Sequence, residues 1–326
     1  MVRHPSHSAY LLAGAVGIAH QAFGFRTWYL SARDASGALQ GILPLVEQRS
    51  RLFGHNLVSV PYFTYGGLLA DSDQAMHALV GEAECLRGDT GAQKVELRHD
   101  APRDIALPCR TDKVSMMLEL PVDEAVLAKS LGAKLRSQIK RADREQVTVL
   151  WGGADLLEDF YKVFSESMRN LGTPVYSKAF FRVVLDALGS RAQLLVVKAS
   201  GVASAVALAV RHGDRVEVPW AAATPESKRL SINMRMYWEL LRKAQSDGAS
   251  VFDFGRSSVG SGTYKFKMQW GAHPKTQYWH YLTQGGELPP PVNNSSPKFE
   301  FASRVWKKLP LPVANVLGPY IARNLP

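Results

Sequence analysis

Cysteine is nearly missing from this sequence, because Cys85 and Cys109 are the only two among its 326 residues. A disulfide-stapled scaffold and a cysteine-rich zinc site are therefore both excluded, and a cytoplasmic protein is expected. Long apolar runs are missing too, since the best one, at 10–19, has about half of the ~20 residues that a bilayer-spanning helix needs. Arg3 before this run would suit a signal peptide, but no clean processing site follows, which favours a first amphipathic helix.

Familiar catalytic motifs are also missing. The sequence contains no Gly-x-Ser-x-Gly elbow, no Walker loop and no His-Glu-x-x-His pair. Its nine histidines are scattered, and His273 and His280, the two nearest the glycine-rich stretch at 252–272, have no further metal ligand beside them. We therefore expect neither a metal site nor a covalent nucleophile, and no bound cofactor.

Basic residues, in contrast, are in excess. Lysine and arginine number 39 against 29 aspartate and glutamate, which gives a formal charge of +10. Such a surplus favours a polyanionic partner such as RNA, a phosphorylated precursor or an anionic membrane surface. Hydrophobic residues make up 46% of the chain, so its 326 residues suffice for two domains of about 150 residues each.

The same order of elements is predicted twice along the chain. Strand, turn, strand, strand, helix and strand are expected in the first half at 27–33, 34–37, 41–46, 57–65, 72–87 and 94–98. The second half repeats them at 193–199, 200–201, 205–211, 215–220, 232–246 and 251–254, with helices between the copies at 124–132, 133–145, 155–170 and 177–188. This internal duplication predicts an α/β (α+β) chain with one domain at 1–122 and a second at 123–288.

The character of the chain changes after Leu288. A proline- and asparagine-rich linker at 289–296 leads into a basic tail, so that 289–326 forms a third segment. A basic tail with tryptophan and leucine can lie on an anionic membrane surface. Pro310, Pro312 and Pro319 interrupt any long membrane-lying helix, which favours a strap packed on the second domain.

One stretch has the composition of a ligand site. Residues 252–272 are FDFGRSSVGSGTYKFKMQWGA, in which Gly255, Gly260 and Gly262 permit a tight loop at the end of a predicted strand. Arg256, Lys265 and Lys267 around this loop could hold phosphate or stabilise a developing oxyanion. Asp253 is the acid within the stretch, and a structural hydrogen-bond acceptor is the alternative to a catalytic role for it.

Two further stretches carry candidate binding residues. At 134–141, helical spacing puts Arg136 and Lys140 on one face, which could follow a phosphate backbone or simply face solvent. At 168–176, glycine and proline end a helix and place Arg169, Thr173 and Tyr176 on a loop, where binding residues often lie. A plain helix stop is the alternative for this second stretch.

Together these segments resemble a known family. The 252–272 stretch, with KLRSQIKRA, MRNLGTPVY and NMRMYWELL, is similar to the FemAB-related branch of the GNAT superfamily. More narrowly, it resembles the FemAB-like proteins of exosortase (PEP-CTERM) systems and exopolysaccharide gene clusters. The resemblance covers about residues 23–281. It implies two tandem GNAT-like domains with mixed sheets flanked by helices, followed here by the basic tail.

The resemblance also implies a reaction. FemAB-type ligases move an amino acid from aminoacyl-tRNA to a peptidoglycan-precursor peptide, and the acceptor implied here is a phosphorylated cell-envelope or polysaccharide precursor. Their Phe-Lys pair before an aromatic-Gly corresponds to Phe266 and Lys267 before Trp270, so Lys267 would stabilise the tetrahedral oxyanion. The candidates are then Lys267 and Asp253 as catalytic residues and, as substrate-binding residues, Arg256, Tyr264, Lys265, Phe266, Trp270, Arg136, Arg169 and Tyr176.

Two other functions stay open. An ordinary GNAT enzyme takes an acyl group from acyl-CoA and holds its pyrophosphate on a glycine-rich turn. The corresponding turn at 223–231 contains no glycine, whereas 256–262 has a suitable composition one strand later. The third function is a non-catalytic protein that binds an envelope precursor and scaffolds polysaccharide assembly.

Overall fold

Two mixed sheets and the helices around them make up the fold of the computed structural model, which describes residues 8–50, 53–290 and 297–325. The strands of the first sheet are β1 (Thr27–Arg33), β2 (Leu39–Ser50), β3 (Gly54–Val58), β4 (Leu69–Ala70), β5 (Lys94–His99), β6 (Cys109–Arg110) and β14 (Tyr278–Thr283). Those of the second sheet are β7 (Lys113–Glu119), β8 (Val147–Gly152), β9 (Ala192–Ala199), β10 (Val202–His212), β11 (Arg215–Ala223), β12 (Val251–Ser258) and β13 (His273–Thr276). The predicted α/β class with mixed sheets is confirmed.

Helices flank these sheets, and the last two of them lie on another helix. The helices are α1 (Ala13–Val16), α2 (Ile18–Phe23), α3 (Asp73–Thr90), α4 (Glu124–Ser130), α5 (Ala133–Ala142), α6 (Leu157–Leu171), α7 (Lys178–Leu188), α8 (Pro225–Arg229), α9 (Ile232–Ser246), α10 (Gly262–Met268), α11 (Pro297–Lys307) and α12 (Leu311–Ala322). The expected single helix at 10–19 is wrong, because Leu12 takes an extended conformation and splits it. Tyr10 and Ile18 are buried, so this segment belongs to the core.

Each sheet takes one strand from the other half of the chain. β14 pairs with β5 in the first sheet, although its residues fall within the predicted second domain. β7 pairs with β12 and β13 in the second sheet, although its residues fall within the predicted first domain. The predicted boundaries at 122 and 288 therefore do not separate the two sheets. Consecutive strands are neighbours in most folds but not in all, and local patterns do not say which edge a strand joins.

The second sheet is buried on both faces. On β9, Leu194 and Val196 pack with α6 and α7, whereas Leu195 and Val197 pack with α5 and α9. Successive side chains of a strand point to opposite faces, so a continuous apolar run is what a sheet covered on both sides requires. The polar side chains described below as the candidate site lie where the central strands β11 and β12 of this sheet stop pairing.

The tail packs on the folded chain, as expected for a strap. α11 and α12 lie on α6, and Gly318 fits so closely that a Cβ there would be 3.0 Å from the Val175 carbonyl oxygen. The hydroxyl of Tyr62 donates to the carbonyl oxygen of Arg323 at 3.0 Å. Residues 291–296 of the expected linker lie outside the described residues. Within the described ranges, no helix combines the length and the hydropathy needed to cross a bilayer.

Candidate functional site

The candidate site begins where the parallel strands β11 and β12 stop pairing. They pair at Arg215–Glu217 opposite Val251–Asp253, and β12 then shifts register against β7 before Arg256. Gly255 lies in this bulge with a φ of 79°, and a Cβ there would be 2.9 Å from the Val218 carbonyl oxygen. Both the positive φ and the close approach favour glycine. The local sequence Asp-Phe-Gly-Arg therefore bends the strand just before its basic residue.

Lys267 binds the bulge from the neighbouring helix. The hydroxyl of Ser261 accepts from the Tyr264 N–H and starts α10, which carries Lys267 back under β12. The Lys267 ammonium donates to the carbonyl oxygens of Gly255 at 2.9 Å and of Arg256 at 3.1 Å. Burial lowers the pKa of Lys267 to about 8, and the Asp253 carboxylate opposes this shift. Lys267 thus fixes the backbone from which the Arg256 side chain projects.

Asp253 is buried beside this lysine. Its Oδ1 accepts from the Gly255 N–H at 2.8 Å, whereas its Oδ2 has no hydrogen-bond partner within the described ranges. Burial and the neighbouring Glu217 carboxylate raise the pKa of Asp253 to about 7, against the lowering effect of Arg215. A carboxyl group that titrates near neutral pH can exchange a proton during a reaction at that pH.

Glu217 ties the two halves of the chain together. Its carboxylate accepts from the Tyr10 hydroxyl at 2.8 Å, the Thr64 hydroxyl at 2.6 Å and His212 Nε2 at 3.2 Å. The Ala9 N–H donates to His212 Nδ1 at 2.9 Å, so the neutral imidazole carries its proton on Nε2 and donates it to Glu217. Burial pushes the pKa of Glu217 up, but the hydrogen bonds from His212, Thr64 and Tyr10 outweigh it and the pKa is lowered. Glu217 is therefore ionised, which helps to keep Asp253 protonated.

We expect Asp253→Asn to flatten the pH dependence of stability. The folded-state pKa of Asp253 is about 7 and lies above that of an unfolded aspartate, about 4. The contribution of this carboxyl to the free energy of unfolding is therefore full below about pH 4 and falls as the pH rises to 7, by at most about 1.4 kcal/mol per pH unit. Asparagine mimics the protonated form and removes this slope. Urea unfolding of wild type and Asp253→Asn between pH 4 and 7 measures the slope. If the free energy of unfolding depended on pH in the same way in both proteins, the raised pKa of Asp253 would be contradicted.

A cavity of about 260 Å³ opens beside Arg256. Its walls come from the loop after β3, from α6 and the loop that follows it, from β11 and β12, and from the tail: Tyr62, Phe63, Thr64, Phe164, Met168, Thr173, Pro174, Val175, Tyr176, Pro219, Trp220, Arg256, Ala322 and Leu325. Arg256 is the charged side chain of this lining. Thr64 connects the cavity to Glu217, because the Thr64 hydroxyl donates to that buried carboxylate.

Arg256, at the cavity wall, lies over the aromatic ring of Trp279. Its guanidinium lies 5.1 Å from the ring centre of Trp279, and Arg98 lies 4.4 Å from the same ring. The surrounding protein and then the charge of Arg98 lower the pKa of Arg256 to about 10, so it stays cationic at neutral pH. Its side chain is still exposed to solvent. A guanidinium stacked on a ring and open to a cavity is suited to bind an anionic or electron-rich oxygen.

The structure brings together part of the predicted site. Arg256 and Tyr176 line the cavity, as does Thr173 of the same predicted loop. Lys267 and Asp253 hold the bulge that carries Arg256. The 252–272 and 168–176 stretches therefore meet, although no local pattern indicates that they are in contact.

Other predicted residues lie elsewhere. Trp270 is buried in the core of the second sheet, where Tyr264 and Phe266 also pack. Lys265 is exposed on α10, outside the cavity wall described above. Arg169 donates to the carbonyl oxygen of Leu309 at 3.1 Å, which anchors the tail. Substrate contacts by these residues stay predictions.

Arg136 belongs to a separate basic surface on α5. This surface surrounds an open cavity of about 470 Å³ and consists of Arg136, Lys140, Arg141 and Arg144, with Ala133 and Ser137. These four basic side chains are exposed, while Leu135 and Ile139 face the core. An ion pair between Asp143 and Arg235 places the end of α5 beside the start of α9.

Sequence reasoning missed the residues that complete the site from a distance. Thr64, Glu217 and Trp279 come from three segments that no local motif connects. Glu217 did carry a signal, because it is a charged residue inside the apolar strand β11 and is fully buried. A buried carboxylate needs partners, and these partners lie across the sheets.

Comparisons with known proteins fit this geometry. Residues 129–268 match the family described as "Acetyltransferase (GNAT) domain", a range that runs from before α5 to the end of α10. It contains β11, β12, the bulge and Lys267. No curated protein matches the sequence.

Solved structures share the arrangement over most of the chain. The crystal structure of FemX has a TM-score of 0.67 at 16% identity and covers 87% of this chain and 94% of its own. A tandem GNAT protein from the clavulanic acid biosynthesis pathway has a TM-score of 0.53 at 9% identity, covering 85% and 88%. The chain has a tandem GNAT-like fold. L-PGS from Bacillus licheniformis shares that fold with a TM-score of 0.56 at 14% identity, covering 90% and 92%.

Proposed function

We propose that the protein is an aminoacyl- or acyltransferase that forms an amide bond in the cavity beside Arg256, with aminoacyl-tRNA as the donor. The observation that carries this proposal is the bulge after Asp253, which ends the β11–β12 pairing and puts Arg256 on the cavity wall. The match of 129–268 to the GNAT acetyltransferase domain supports the same class of reaction. An aminoacyl-tRNA donor would place the reaction in the cytoplasm.

The reaction needs an amine, an activated ester and a group that binds the negative charge formed between them. The acceptor nitrogen attacks the ester carbonyl carbon, the C–N bond forms, and the ester C–O bond breaks as the ribose hydroxyl leaves with the proton that the amine loses. Arg256 would bind the oxyanion of the tetrahedral intermediate. Lys267 already donates to two backbone carbonyls, so we assign it as the positioning residue for Arg256. An amine attacking an activated ester needs little help from a base when the two are held together.

The proposed acceptor is a phosphorylated precursor of the cell envelope or of an exopolysaccharide. Its support is the resemblance to FemAB-like proteins of exosortase systems and the formal charge of +10. The cavity adds Arg256, Thr64 and Thr173 among apolar and aromatic residues of its wall. Such a wall suits an acceptor that carries an apolar group next to an anionic or carbonyl oxygen.

Two observations favour tRNA over acyl-CoA as the donor. The β11–α9 connection contains helix α8, capped by the Thr224 side chain, where a CoA enzyme would present a glycine-rich turn to the pyrophosphate. Beside this connection lies the basic surface of α5, because Asp143 pairs with Arg235 at the start of α9. A row of exposed basic side chains suits a long polyanion.

The donor is tested by titrating labelled tRNA into wild-type protein and the variant Lys140→Gln/Arg144→Gln. We expect the variant to bind roughly tenfold more weakly and to show a salt dependence of log K reduced by about one per charge removed. The matched control is Lys162→Gln/Arg182→Gln, which removes two exposed charges from α6 and α7 and should bind like wild type. Equal losses in both variants would mean that the basic surface of α5 is not the tRNA site.

Calorimetric titration with acetyl-CoA tests the alternative donor. Micromolar binding that disappears in Arg256→Ala would make this an acyl-CoA enzyme despite its glycine-free turn. Mass spectrometry of mixtures with aminoacyl-tRNA and candidate amine acceptors then tests the reaction itself. Precursor binding without any amide product would assign the protein to the non-catalytic scaffold function instead.

A further inference from the structure

The outer face of the tail is apolar, although it is exposed. On α12, four side chains at helical spacing point away from the chain with large exposed fractions: Val313 41%, Val316 65%, Leu317 46% and Tyr320 65%. On α11, Phe301 and Val305, one turn apart, are 64% and 47% exposed. Residues at positions i, i+3, i+4 and i+7 form one continuous stripe on a helix. We call these six residues the outer stripe.

The inner face of the same helix is already used. Ala314, Gly318 and Ala322 are buried, and Gly318 fits closely against Val175. These small residues let α12 approach the loop after α6, and they leave the larger apolar side chains outside. The helix therefore cannot bury the outer stripe by rotating without losing this contact. The four side chains of the outer stripe on α12 are contiguous by their spacing, and contiguous exposed apolar surface of this kind marks an interaction site.

Basic side chains border the outer stripe. Arg304 and Lys308 continue the face of Phe301 and Val305 by helical spacing, and Lys307 lies next to them; all three are exposed. Within the described tail, 297–325, Glu300 is the one acidic residue. A helix pair with an apolar stripe bordered by lysine and arginine matches the pattern of interfacial helices, which bury the apolar side at the headgroup boundary and hold anionic headgroups with the basic side chains.

We propose that α11 and α12 form a docking surface for an anionic lipid membrane. A second copy of this chain fits less well, because within the described tail Glu300 is the one carboxylate that could pair with Arg304, Lys307 and Lys308 of the other copy. A nucleic acid fits less well too, since its phosphates make no use of the six apolar side chains. An anionic bilayer satisfies both the charge and the apolar area.

Docking through the outer stripe would not cover the cavity. Ala322 and Leu325 line the cavity from the tail, whereas on α12 the outer stripe lies on the other side of the helix from the buried Ala314, Gly318 and Ala322. The membrane would then hold the helix that closes one wall of the cavity. The proposal stands without the proposed function, because lipid binding can be measured when no reaction is known.

Vesicle flotation tests the proposal with the full-length protein. Vesicles of phosphatidylcholine with added phosphatidylglycerol are compared with vesicles of phosphatidylcholine alone. We expect binding to the anionic vesicles, a loss of binding as salt is added, and a decrease of roughly tenfold in bound protein for Val316→Glu. The matched control is Val202→Glu, which makes the same change at a residue that is 62% exposed at the start of β10 and should bind like wild type.

A second variant tests the charges separately. Arg304→Gln/Lys308→Gln should lose binding to the anionic vesicles while its thermal unfolding stays that of wild type, because both side chains are exposed. The proposal is overturned if the wild-type protein does not float with anionic vesicles, or if Val316→Glu and Val202→Glu bind equally. It is also overturned if sedimentation velocity shows a dimer that Val316→Glu dissociates, since the outer stripe would then belong to a second copy of the chain.

Discussion

Replacing Arg256 by alanine is expected to lower the rate of amide formation by about a hundredfold or more, the usual effect of removing one donor to a developing oxyanion. Arg256 is the charged side chain of the cavity lining, and it is held in place by Trp279 and by the bulge at Gly255. The loss should appear in kcat, because the oxyanion exists in the transition state and not in the bound substrates. Product formation measured by mass spectrometry at saturating donor checks it.

Two further variants make this result specific. Arg256→Lys keeps the charge but not the planar guanidinium that stacks on Trp279, so we expect partial recovery of the rate. Arg182→Ala, which removes an exposed arginine from α7, should react like wild type. If Arg256→Ala kept full activity while its fold stayed intact, the cavity beside Arg256 would not be the reaction site.

The exchange of strands between the sheets explains why this site is difficult to foresee. Trp279 lies on β14 in the first sheet, whereas Arg256 lies on β12 in the second, and the two side chains meet because β14 returns to pair with β5. The predicted second domain at 123–288 contains both residues, but its pattern does not indicate that the strand carrying Trp279 joins the first sheet. The cavity therefore depends on both sheets, and neither half of the chain builds it alone.

Regular elements are predictable where their period is plain. β1 at Thr27–Arg33 and α9 at Ile232–Ser246 have the predicted bounds, because alternation and helical spacing are local properties. The strand expected at 57–65 ends at Val58 instead. Val60 and Tyr62 there have positive φ angles of 37° and 76°, which a continuous strand does not allow. That loop supplies Tyr62, Phe63 and Thr64 to the cavity.

The site is predictable to the extent that it is local. Glycines and basic residues at 252–272 lie next to each other in the sequence, so their pattern alone predicts a tight loop that carries a binding group. Glu217 accepts hydrogen bonds from Tyr10 and Thr64, which lie 207 and 153 positions before it in the sequence. No local pattern encodes such contacts, because they arise only when the sheets pack. Nor does the local pattern show that the ring of Trp270 packs in the core of the second sheet.

The second large effect concerns Lys267. Lys267→Met is expected to lower the free energy of unfolding by about 3 kcal/mol, because it leaves two carbonyl oxygens without their donor and removes the cation beside the buried Asp253 carboxyl. Transfer activity should fall as well, since Arg256 loses its fixed backbone. Urea unfolding gives the stability, and activity is measured where the variant is still folded.

A double-mutant cycle separates the two causes. In Lys267→Met/Asp253→Asn the buried carboxyl is gone, so the combined loss should be smaller than the sum of the single losses by about 1–2 kcal/mol. This coupling should be largest between about pH 7 and 8, where Asp253 is ionised and Lys267 is still a cation, and should shrink on both sides, because the pKa of Asp253 is about 7 and that of Lys267 about 8. Lys267→Gln, which can still donate to a carbonyl, should retain part of the activity. If Lys267→Met reacted at the full rate, neither oxyanion binding nor positioning of Arg256 could be its role.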